Sequence, residues 1–191
     1  MRTGREYFES AYAQKDEPFG AAQSWYELRK RSLLLAALRS PRYEYAFEPA
    51  GGTGVLTREL APRCERILMM DWSMAALSRA RMNLRDFPAA VVASGHLPEN
   101  WPINQKFDLI VISELLYYLD DGAIEEMARR ARESLQPHGE LVLLHWRHPS
   151  ADYPNNGDRA QRLFLGAWPR AQIRVRHEEA DFLLLVLEAG D

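Results

Sequence analysis

The sequence predicts an α/β protein with a mostly parallel sheet covered by helices on both faces. Short apolar runs alternate with helical segments along most of the chain, and these runs are nearly continuous in apolar residues, as in strands buried on both faces. The chain closes with two β-prone runs, AQIRVRH and FLLLVLE, joined over Glu178 to Asp181. This pair predicts a β-hairpin that adds an antiparallel strand to the sheet.

Length and charge limit the class of protein. The 191 residues suit one domain, and a net charge of -3 gives no field that would attract nucleic acid. The single cysteine, Cys64, excludes an internal disulfide, and the lack of a Cys/His cluster argues against a zinc site. The N-terminus has no apolar segment of signal-peptide length, and no stretch is long enough to span a membrane. We therefore expect a cytoplasmic monomer or homodimer without a membrane partner.

The first half of the chain supplies two strands and three helices. Residues that end or cap helices set the limits of the three predicted helices. Ser40-Pro41 ends the first helix, Pro62 limits the second helix, and Ser73 can cap the third helix. The strands are short β-prone or buried apolar runs. In order, the predicted elements are a helix from Gln23 to Leu38, a strand from Tyr43 to Glu48, a helix from Val55 to Leu60, a strand from Arg66 to Asp71 and a helix over MAALSRARMNL.

The second half supplies three more strands and a helix. The helix is amphipathic, with Asp120 or Asp121 as its cap and QPHG as its stop. A polar insert, RHPSADYPNNGDRAQRLFLGA, then separates the fifth strand from the hairpin and is expected to be a loop. The predicted elements are strands from Ala89 to Ser94, Phe107 to Ser113 and Glu140 to Trp146, and the helix from Gly122 to Leu135.

The segment FEPAGGTGVLTREL places three glycines directly after the first strand. In doubly wound sheets, ligands bind beyond the carboxyl ends of the strands, and glycine allows the backbone to approach a ligand closely. The turn is therefore a candidate ligand site, although a plain tight turn would use the same residues. The dinucleotide fingerprint fits poorly, because Thr57 occupies its third glycine position and Glu48 would repel a pyrophosphate. S-adenosylmethionine has a cationic amine and no phosphate, and suits Glu48 better.

Two later positions agree with a nucleoside ligand. Asp71 ends the second strand 19 residues after Gly52, where a carboxylate can accept hydrogen bonds from ribose hydroxyls. Capping of the next helix, beside Ser73, is the structural alternative. The segment ASGHLP follows the third strand, and Ser94 or the nearby backbone could bind the adenine amine.

Three segments of the chain together resemble the class I S-adenosylmethionine-dependent methyltransferases. They are FEPAGGTGVLTRELAPRCERILMMDWSMAALSRA, FDLIVISELLYYLDD and LQPHGELVLLHWR. The similarity spans roughly Trp25 to Trp146 and is strongest to the NodS-like group, named for a nodulation N-methyltransferase that acts on chitooligosaccharides. It implies a Rossmann-like, seven-stranded sheet whose last strand is antiparallel. We expect a helical cap or lid over residues 1–40 and a cofactor-binding domain over residues 41–191.

The resemblance assigns cofactor-binding residues position by position. Ala50 departs from the family motif E-x-G-x-G-x-G at its first glycine, which leaves a non-catalytic binding protein as an alternative. The predicted cofactor-binding residues are Glu48, Ala50, Gly51, Gly52, Gly54, Asp71, Trp72, Ser94, Gly95, His96, Leu97 and Ser113.

The catalytic candidates follow strands four and five. Glu114 could hold an acceptor amine or hydroxyl or accept its proton, and Tyr117 could face the same pocket. His145 is a second candidate base, although a single histidine is more often structural. The insert would form one wall of the acceptor site, through His148, Tyr153, Asn156 and Asp158.

The predicted helix before the first strand also has a candidate role in the site. Trp25 and Tyr26 could cover the cofactor, and Arg29 or Lys30 could face its methionine carboxylate, although an ordinary amphipathic helix packed on the sheet would carry the same residues.

The sequence therefore favours a methyltransferase that acts on nitrogen or oxygen of a small molecule, with an amino sugar or oligosaccharide as a candidate acceptor. A nicotinamide-dependent oxidoreductase is a weaker alternative, because the glycine fingerprint is incomplete and no second domain is predicted. No N-P-P-Y-type motif follows strand four and no basic face appears, which argues against methylation of nucleic acid.

Overall fold

A computed structural model describes residues 3–15, 18, 20, 22 and 24–188 of the chain. The elements alternate as the sequence predicts, with one helix before residue 20 and another in the insert after the fifth strand. The helices are α1 (Arg5–Gln14), α2 (Trp25–Ala37), α3 (Val55–Leu60), α4 (Met74–Asn83), α5 (Asp121–Ser134) and α6 (Gly157–Ala167). The strands are β1 (Tyr43–Pro49), β2 (Cys64–Asp71), β3 (Ala90–Ser94), β4 (Phe107–Ser113), β5 (Leu135–Trp146), β6 (Gln172–Glu178) and β7 (Phe182–Glu188).

The strands of the described chain form one seven-stranded sheet in the order β3-β2-β1-β4-β5-β7-β6. The pairs among β1 to β5 are parallel, whereas β7 is antiparallel to both of its neighbours, β5 and β6. The predicted hairpin and antiparallel strand are therefore confirmed. The strand order reverses between β1 and β4, so a crevice lies beyond the carboxyl ends of these two strands.

Helices cover both faces of the sheet. Consecutive strand residues point to opposite faces, so neighbours within a strand pack against different helices. Phe47 and Ile110 pack with residues of α5 and α6 on one face. Their neighbours Ala46 and Leu109 pack with residues of α2 and α3 on the other. Among the described residues, no helix is both long and apolar enough to cross a membrane.

The predicted helix caps at Ser73 and Asp120 are confirmed by hydrogen bonds. The Ser73 hydroxyl accepts a hydrogen bond from the Ala76 N–H at 3.2 Å, and the Asp120 carboxylate accepts one from the Ala123 N–H at 3.1 Å. Each cap satisfies a backbone donor that the first helical turn leaves unpaired. The start predicted for α2, Gln23, lies outside the described residues.

Two predictions after α5 are wrong. The segment QPHG does not follow a helix as its stop, because α5 ends at Ser134 and these residues already belong to β5. The polar insert is not a simple loop, because α6 begins inside it. Asn156 caps this helix by accepting a hydrogen bond from the Arg159 N–H at 2.9 Å. The apolar residues of α6, such as Phe164, pack into the core.

Ala50 occupies a backbone conformation that favours glycine, with φ of 58°. We expect Ala50→Gly to change the free energy of unfolding by between zero and about +1 kcal/mol. Relief of left-handed strain, about 1–2 kcal/mol for a residue with Cβ, is partly offset by the greater entropy of the unfolded glycine chain. Urea unfolding would measure the change. Ala75→Gly within α4 should instead destabilise by about 0.5–1 kcal/mol, and an equal loss at position 50 would contradict the strain argument.

Candidate active site

A cavity of about 440 Å³ opens at the carboxyl ends of the strands, beside the point where the strand order reverses. Its walls come from the glycine turn after β1, the segments that follow β2, β3, β4 and β5, and the N-terminal helices α1 and α2. This is the place where an open α/β sheet binds its ligand, and the volume lies in the range of small-molecule sites.

The glycines of the turn are required by the protein's own packing. A Cβ on Gly51 would lie 2.6 Å from Cγ of Met69, and a Cβ on Gly52 would lie 2.8 Å from the hydroxyl oxygen of Tyr12. Gly52 also has φ of 58°, a conformation that residues with Cβ rarely adopt. The absent side chains therefore let β2 and α1 approach the turn, which brings Tyr12 into the cavity wall.

Asp71 is bound to the glycine turn by its carboxylate. Its Oδ2 accepts a hydrogen bond from the Gly52 N–H at 2.9 Å, and its Oδ1 accepts one from the Ser73 N–H at 2.8 Å. Burial raises the pKa of Asp71 above its ordinary value, and these backbone donors oppose the rise. Since a carboxylate oxygen can accept more than one hydrogen bond, both oxygens can still bind hydroxyl groups in the cavity.

Glu48 lies beneath the turn and is only 3% exposed. The hydroxyl of Thr57 donates a hydrogen bond to its Oε2 at 2.5 Å. Burial raises the pKa of Glu48 to about 8, and the negative charge of Asp71 contributes to the rise. The sequence-based picture of a fixed negative charge at Glu48 is therefore wrong for the structure as it stands, because near neutral pH this carboxyl group is mostly protonated.

Two aromatic side chains stack at the ends of β2 and β3. The rings of Trp72 and His96 have centroids 3.8 Å apart and an interplanar angle of 24°. Both residues line the cavity. They provide flat, polarisable surfaces of the kind on which a purine ring can stack.

Glu114, at the end of β4, is held by three hydrogen bonds. Its Oε1 accepts one from Nζ of Lys30 at 2.6 Å. Its Oε2 accepts one from the hydroxyl of Tyr117 at 2.6 Å and one from the Trp146 N–H at 3.1 Å. Burial alone would raise the pKa of Glu114, but the charge of Lys30 and the hydrogen bonds from Lys30 and Tyr117 lower it overall. Glu114 is therefore an ionised carboxylate in the cavity wall.

An aromatic wall continues from Tyr117. Its ring stacks on that of Tyr153 at a centroid distance of 5.3 Å. The ring of Tyr118 contacts both Tyr153 at 4.6 Å and Phe8 at 4.9 Å. All four rings line the cavity, so helix α1, the turn after β4 and the insert after β5 meet in one apolar wall.

Two comparisons point to one family. A family model for a methyltransferase domain matches residues 47–139. Nodulation protein S of Sinorhizobium fredii is 30% identical over 131 residues, which cover 64% of this chain and 56% of that protein. Nodulation protein S of Rhizobium tropici is 31% identical over 130 residues, which cover 67% of this chain and 54% of that protein. The chain thus spans about half the length of the curated relatives it matches.

Solved structures extend the comparison. A Pseudomonas syringae protein assigned as a methyltransferase is 39% identical, with a TM-score of 0.76 over 86% of this chain and 99% of that chain. The chain belongs to the class I S-adenosylmethionine-dependent methyltransferases. The N-methyltransferase NodS from Bradyrhizobium japonicum, solved with S-adenosylhomocysteine, has a TM-score of 0.86 over 98% of each chain at 22% identity, and so shares the methyltransferase fold.

Most of the residues predicted for this methyltransferase site line the cavity, whereas Gly54, Ser94 and His145 are not among the described residues that do. Gly54 instead caps α3, and Ser94 is exposed at the end of β3. The predicted residues that line the cavity are Glu48, Ala50, Gly51, Gly52, Asp71, Trp72, Gly95, His96, Leu97, Ser113, Glu114 and Tyr117.

The geometry does not favour His145 as a base of this methyltransferase. It is fully buried; its Nε2 accepts a hydrogen bond from the Leu116 N–H at 3.2 Å, and its Nδ1 lies 3.0 Å from the amide nitrogen of Gln161. Burial lowers its pKa to about 4, with a further contribution from Lys30. The ring nitrogen that could accept a proton, Nε2, is therefore already occupied by the Leu116 N–H, and His145 orients the turn after β4.

The cations of α2 differ from the sequence-based expectation. Arg29 pairs with Glu179 at 2.6 Å and lies outside the cavity, whereas Lys30 and Arg31 line it. Trp25 is 75% exposed, and its neighbour Tyr26 lines the cavity instead. Burial raises the pKa of Tyr26, and its hydroxyl is buried without a hydrogen-bond partner in the described part of the chain. Sequence reasoning missed Arg31, which the basic run Arg29-Lys30-Arg31 alone could have suggested.

Proposed function

We propose that this methyltransferase binds S-adenosylmethionine in the cavity and transfers its methyl group to an amine nitrogen of a small molecule, with an amino sugar as the leading candidate. The observation that carries the choice of nitrogen is the ionised carboxylate of Glu114 at the cavity wall. An amine is a cation near neutral pH, so a partly buried carboxylate favours it over an uncharged hydroxyl.

The residues present fit the cofactor. Among the described residues, the cavity is lined by four carboxyl side chains, of which Glu48 is mostly protonated, and by two cationic ones, so its wall has no excess of positive charge that would favour a phosphate over an amine and a sulfonium. Asp71 is placed to accept hydrogen bonds from ribose hydroxyls, and the ring faces of Trp72 and His96 suit adenine. When bound, the cofactor supplies a methyl group that is activated by the positive sulfur.

At the acceptor end of the cavity, the acceptor nitrogen must be positioned and must lose a proton. The nitrogen must lose one proton before its lone pair can attack, and the aromatic wall excludes water from the reacting atoms. The hydroxyl of Tyr117 donates a hydrogen bond to Oε2 of Glu114 at 2.6 Å, so a lone pair of its oxygen could accept a hydrogen bond from an acceptor N–H. When the Tyr117 oxygen receives a proton from the nitrogen, its hydroxyl proton can pass to Glu114.

Two measurements test the proposed function. Calorimetry with S-adenosylhomocysteine should show binding to one site, whereas NADH should show none. Binding of NADH alone would support an oxidoreductase, and binding of neither ligand would support a non-catalytic protein. Formation of S-adenosylhomocysteine should then be compared with D-glucosamine and D-glucose as acceptors, because this pair differs by one amine. Turnover with glucose alone would contradict the choice of nitrogen.

Glu114→Gln is expected to lower turnover with an amine acceptor by about 100-fold, because the amide neither attracts the ammonium nor accepts its proton. Affinity for S-adenosylhomocysteine should stay within about threefold, since the substitution keeps the size of the side chain. Glu125→Gln, an exposed acid on α5, is the matched control. Equal turnover of both variants would remove Glu114 from the mechanism.

We further propose that the N-terminal segment, residues 1–40, acts as a lid. Glu9 of α1 accepts hydrogen bonds from the Met74 N–H at 2.8 Å and the Ser73 hydroxyl at 3.1 Å, at the N-terminus of α4. Burial would raise the pKa of Glu9, but these hydrogen bonds lower it overall. The carboxylate is therefore ionised where the helix dipole favours a negative charge.

Glu9→Gln should accelerate release of S-adenosylhomocysteine by about 3- to 10-fold, because a neutral amide binds the N-terminus of α4 less strongly and α1 detaches more often. Stopped-flow tryptophan fluorescence would measure the release rate. Glu6→Gln, an exposed position on the same helix, should leave this rate unchanged. Identical release rates in both variants would contradict the lid.

A further inference from the structure

Lys30 is a buried cation between two carboxylates in the cavity wall. It is 2% exposed, and its Nζ lies 2.7 Å from Oε1 of Glu27 and 2.6 Å from Oε1 of Glu114. The same Nζ lies 4.8 Å from the ring centroid of Tyr26. A lysine so fully buried requires such partners, since an unpaired ammonium would lose its hydration without compensation.

The two carboxylates belong to different parts of the fold. Glu27 lies one turn before Lys30 on α2, whereas Glu114 follows β4, 84 residues later in the chain. The bond to Glu27 is therefore internal to the helix, and the bond to Glu114 joins the helix to the site. Lys30 is thus a direct link between the N-terminal segment and the carboxylate assigned above to the acceptor.

The hydrogen bond from Lys30 fixes one specific oxygen of the Glu114 carboxylate, Oε1. Oε2 of Glu114 is held by Tyr117 and the Trp146 N–H, whereas the hydrogen bond described for Oε1 comes from Lys30. Glu114 also has φ of 52°, a left-handed conformation that is strained for a residue with Cβ and needs support from its surroundings. Loss of Lys30 would leave the carboxylate with the two donors described for Oε2 and without the adjacent ammonium.

The other groups that act on Glu114 do not replace this charge. Glu27 and the Tyr26 phenol on α2 and the Tyr117 phenol after β4 carry no positive charge, and His145 on β5 is neutral near pH 7 because burial lowers its pKa to about 4. Among these groups, Lys30 is the one that is cationic at neutral pH. Without it, burial would favour protonation of Glu114.

We propose that Lys30 is a positioning residue for the methyl acceptor, which fixes Oε1 of Glu114 and sets a positive charge beside this carboxylate. The proposal rests on the proposed role of Glu114 in binding an acceptor amine. It makes the acceptor site depend on the N-terminal segment, because undocking of α2 would remove the Lys30 ammonium that holds Oε1 of Glu114.

Direct titration of Glu114 tests the proposal. The protein would be labelled with glutamate that carries ¹³C at the side-chain carboxyl group, and the Glu114 resonance would be identified by its loss in Glu114→Gln. The principal variant is Lys30→Met with Glu27→Gln, which removes one charge of each sign and avoids an unpaired Glu27. Its Glu114 midpoint should lie at least about one pH unit above that of the unmodified protein, a tenfold change in proton affinity.

Two further variants separate position from general stability. Lys30→Arg keeps the charge and should return the midpoint to within about 0.5 unit of the unmodified value. Arg29→Met removes a neighbouring cation that pairs with Glu179 outside the cavity, and should leave the Glu114 midpoint unchanged. A purely structural role for Lys30 would lower the unfolding midpoint of the variants without this selective change in Glu114.

Calorimetry with S-adenosylhomocysteine distinguishes the proposal from the sequence-based idea that Lys30 faces the cofactor. Affinity within about threefold in the double variant, with a raised Glu114 midpoint, supports positioning of the acceptor. A tenfold loss of affinity with an unmoved midpoint overturns it and assigns Lys30 to the cofactor. If the unmodified protein binds no S-adenosylhomocysteine while Glu114 still responds to Lys30, the proposed function fails and the link between the two residues stands.

Discussion

Asp71→Asn is expected to weaken binding of S-adenosylhomocysteine by about 10- to 100-fold. The carboxylate accepts hydrogen bonds from the N–H groups of Gly52 and Ser73, and the asparagine amide group can satisfy only one of these two sides. The substitution therefore removes an acceptor for the ribose hydroxyls and leaves the asparagine NH₂ group facing a backbone N–H. The expected loss of binding free energy is about 1.4–2.8 kcal/mol. Isothermal titration calorimetry would give the dissociation constant.

The matched control is Asp86→Asn, because Asp86 is 79% exposed on the surface. Its affinity should equal that of the unmodified protein. Urea unfolding of both variants would show how much of the change is a loss of stability. Equal affinity in Asp71→Asn and the control would exclude the assigned role of Asp71 and with it the placement of the nucleoside.

Glu48→Gln is expected to remove a large part of the pH dependence of folding stability. Burial raises the pKa of Glu48 in the folded chain to about 8, from an ordinary value of 4.5. The folded protein therefore binds a proton that the unfolded chain releases, so stability is full below about pH 4.5 and falls as pH rises towards 8. The full pKa difference corresponds to a loss of about 5 kcal/mol in the free energy of unfolding over this pH range. Partial hydration of the cavity reduces the expected loss to about 2–4 kcal/mol.

Urea unfolding at pH 5, 7 and 8.5 would measure this difference. Because glutamine cannot ionise and can still bind the Thr57 hydroxyl, the variant should be about as stable as the unmodified protein at the lowest pH and more stable at the highest. Glu65→Gln, at a side chain 58% exposed, should follow the unmodified protein throughout. Parallel curves for Glu48→Gln and the unmodified protein would show that Glu48 ionises freely.

Local patterns predicted the sheet because its strands are distinctive runs of apolar residues. Phe107–Ser113 was predicted to the residue, and the hairpin after the insert was predicted with its turn. Where turn residues occur inside elements, the prediction failed. Pro137 and Gly139 suggested a helix stop but lie in β5, and Asn155, Asn156 and Gly157 suggested a loop but lead into α6.

Site residues could be predicted where their role depends on their position along the chain, such as the end of a strand. They were less predictable where the role depends on contacts between segments that are distant in sequence. Asp71 and Glu114 could be found because Asp71 ends one buried strand and Glu114 directly follows another. The bond between Lys30 and Glu114 could not, because it joins residues 84 positions apart and is made by the packing of α2. The protonation of Glu48 was likewise hidden, since its pKa depends on burial that no motif encodes.

Helix α1 contacts both ends of the cavity. Glu9 binds the start of α4 near the proposed ribose site, and Phe8 packs on Tyr118 in the aromatic wall of the acceptor. If α1 is the lid, one detachment uncovers both ligands at once, and neither has to leave before the other. We therefore expect a random-order kinetic mechanism, in which S-adenosylhomocysteine and the methylated product each inhibit without a fixed sequence of departure.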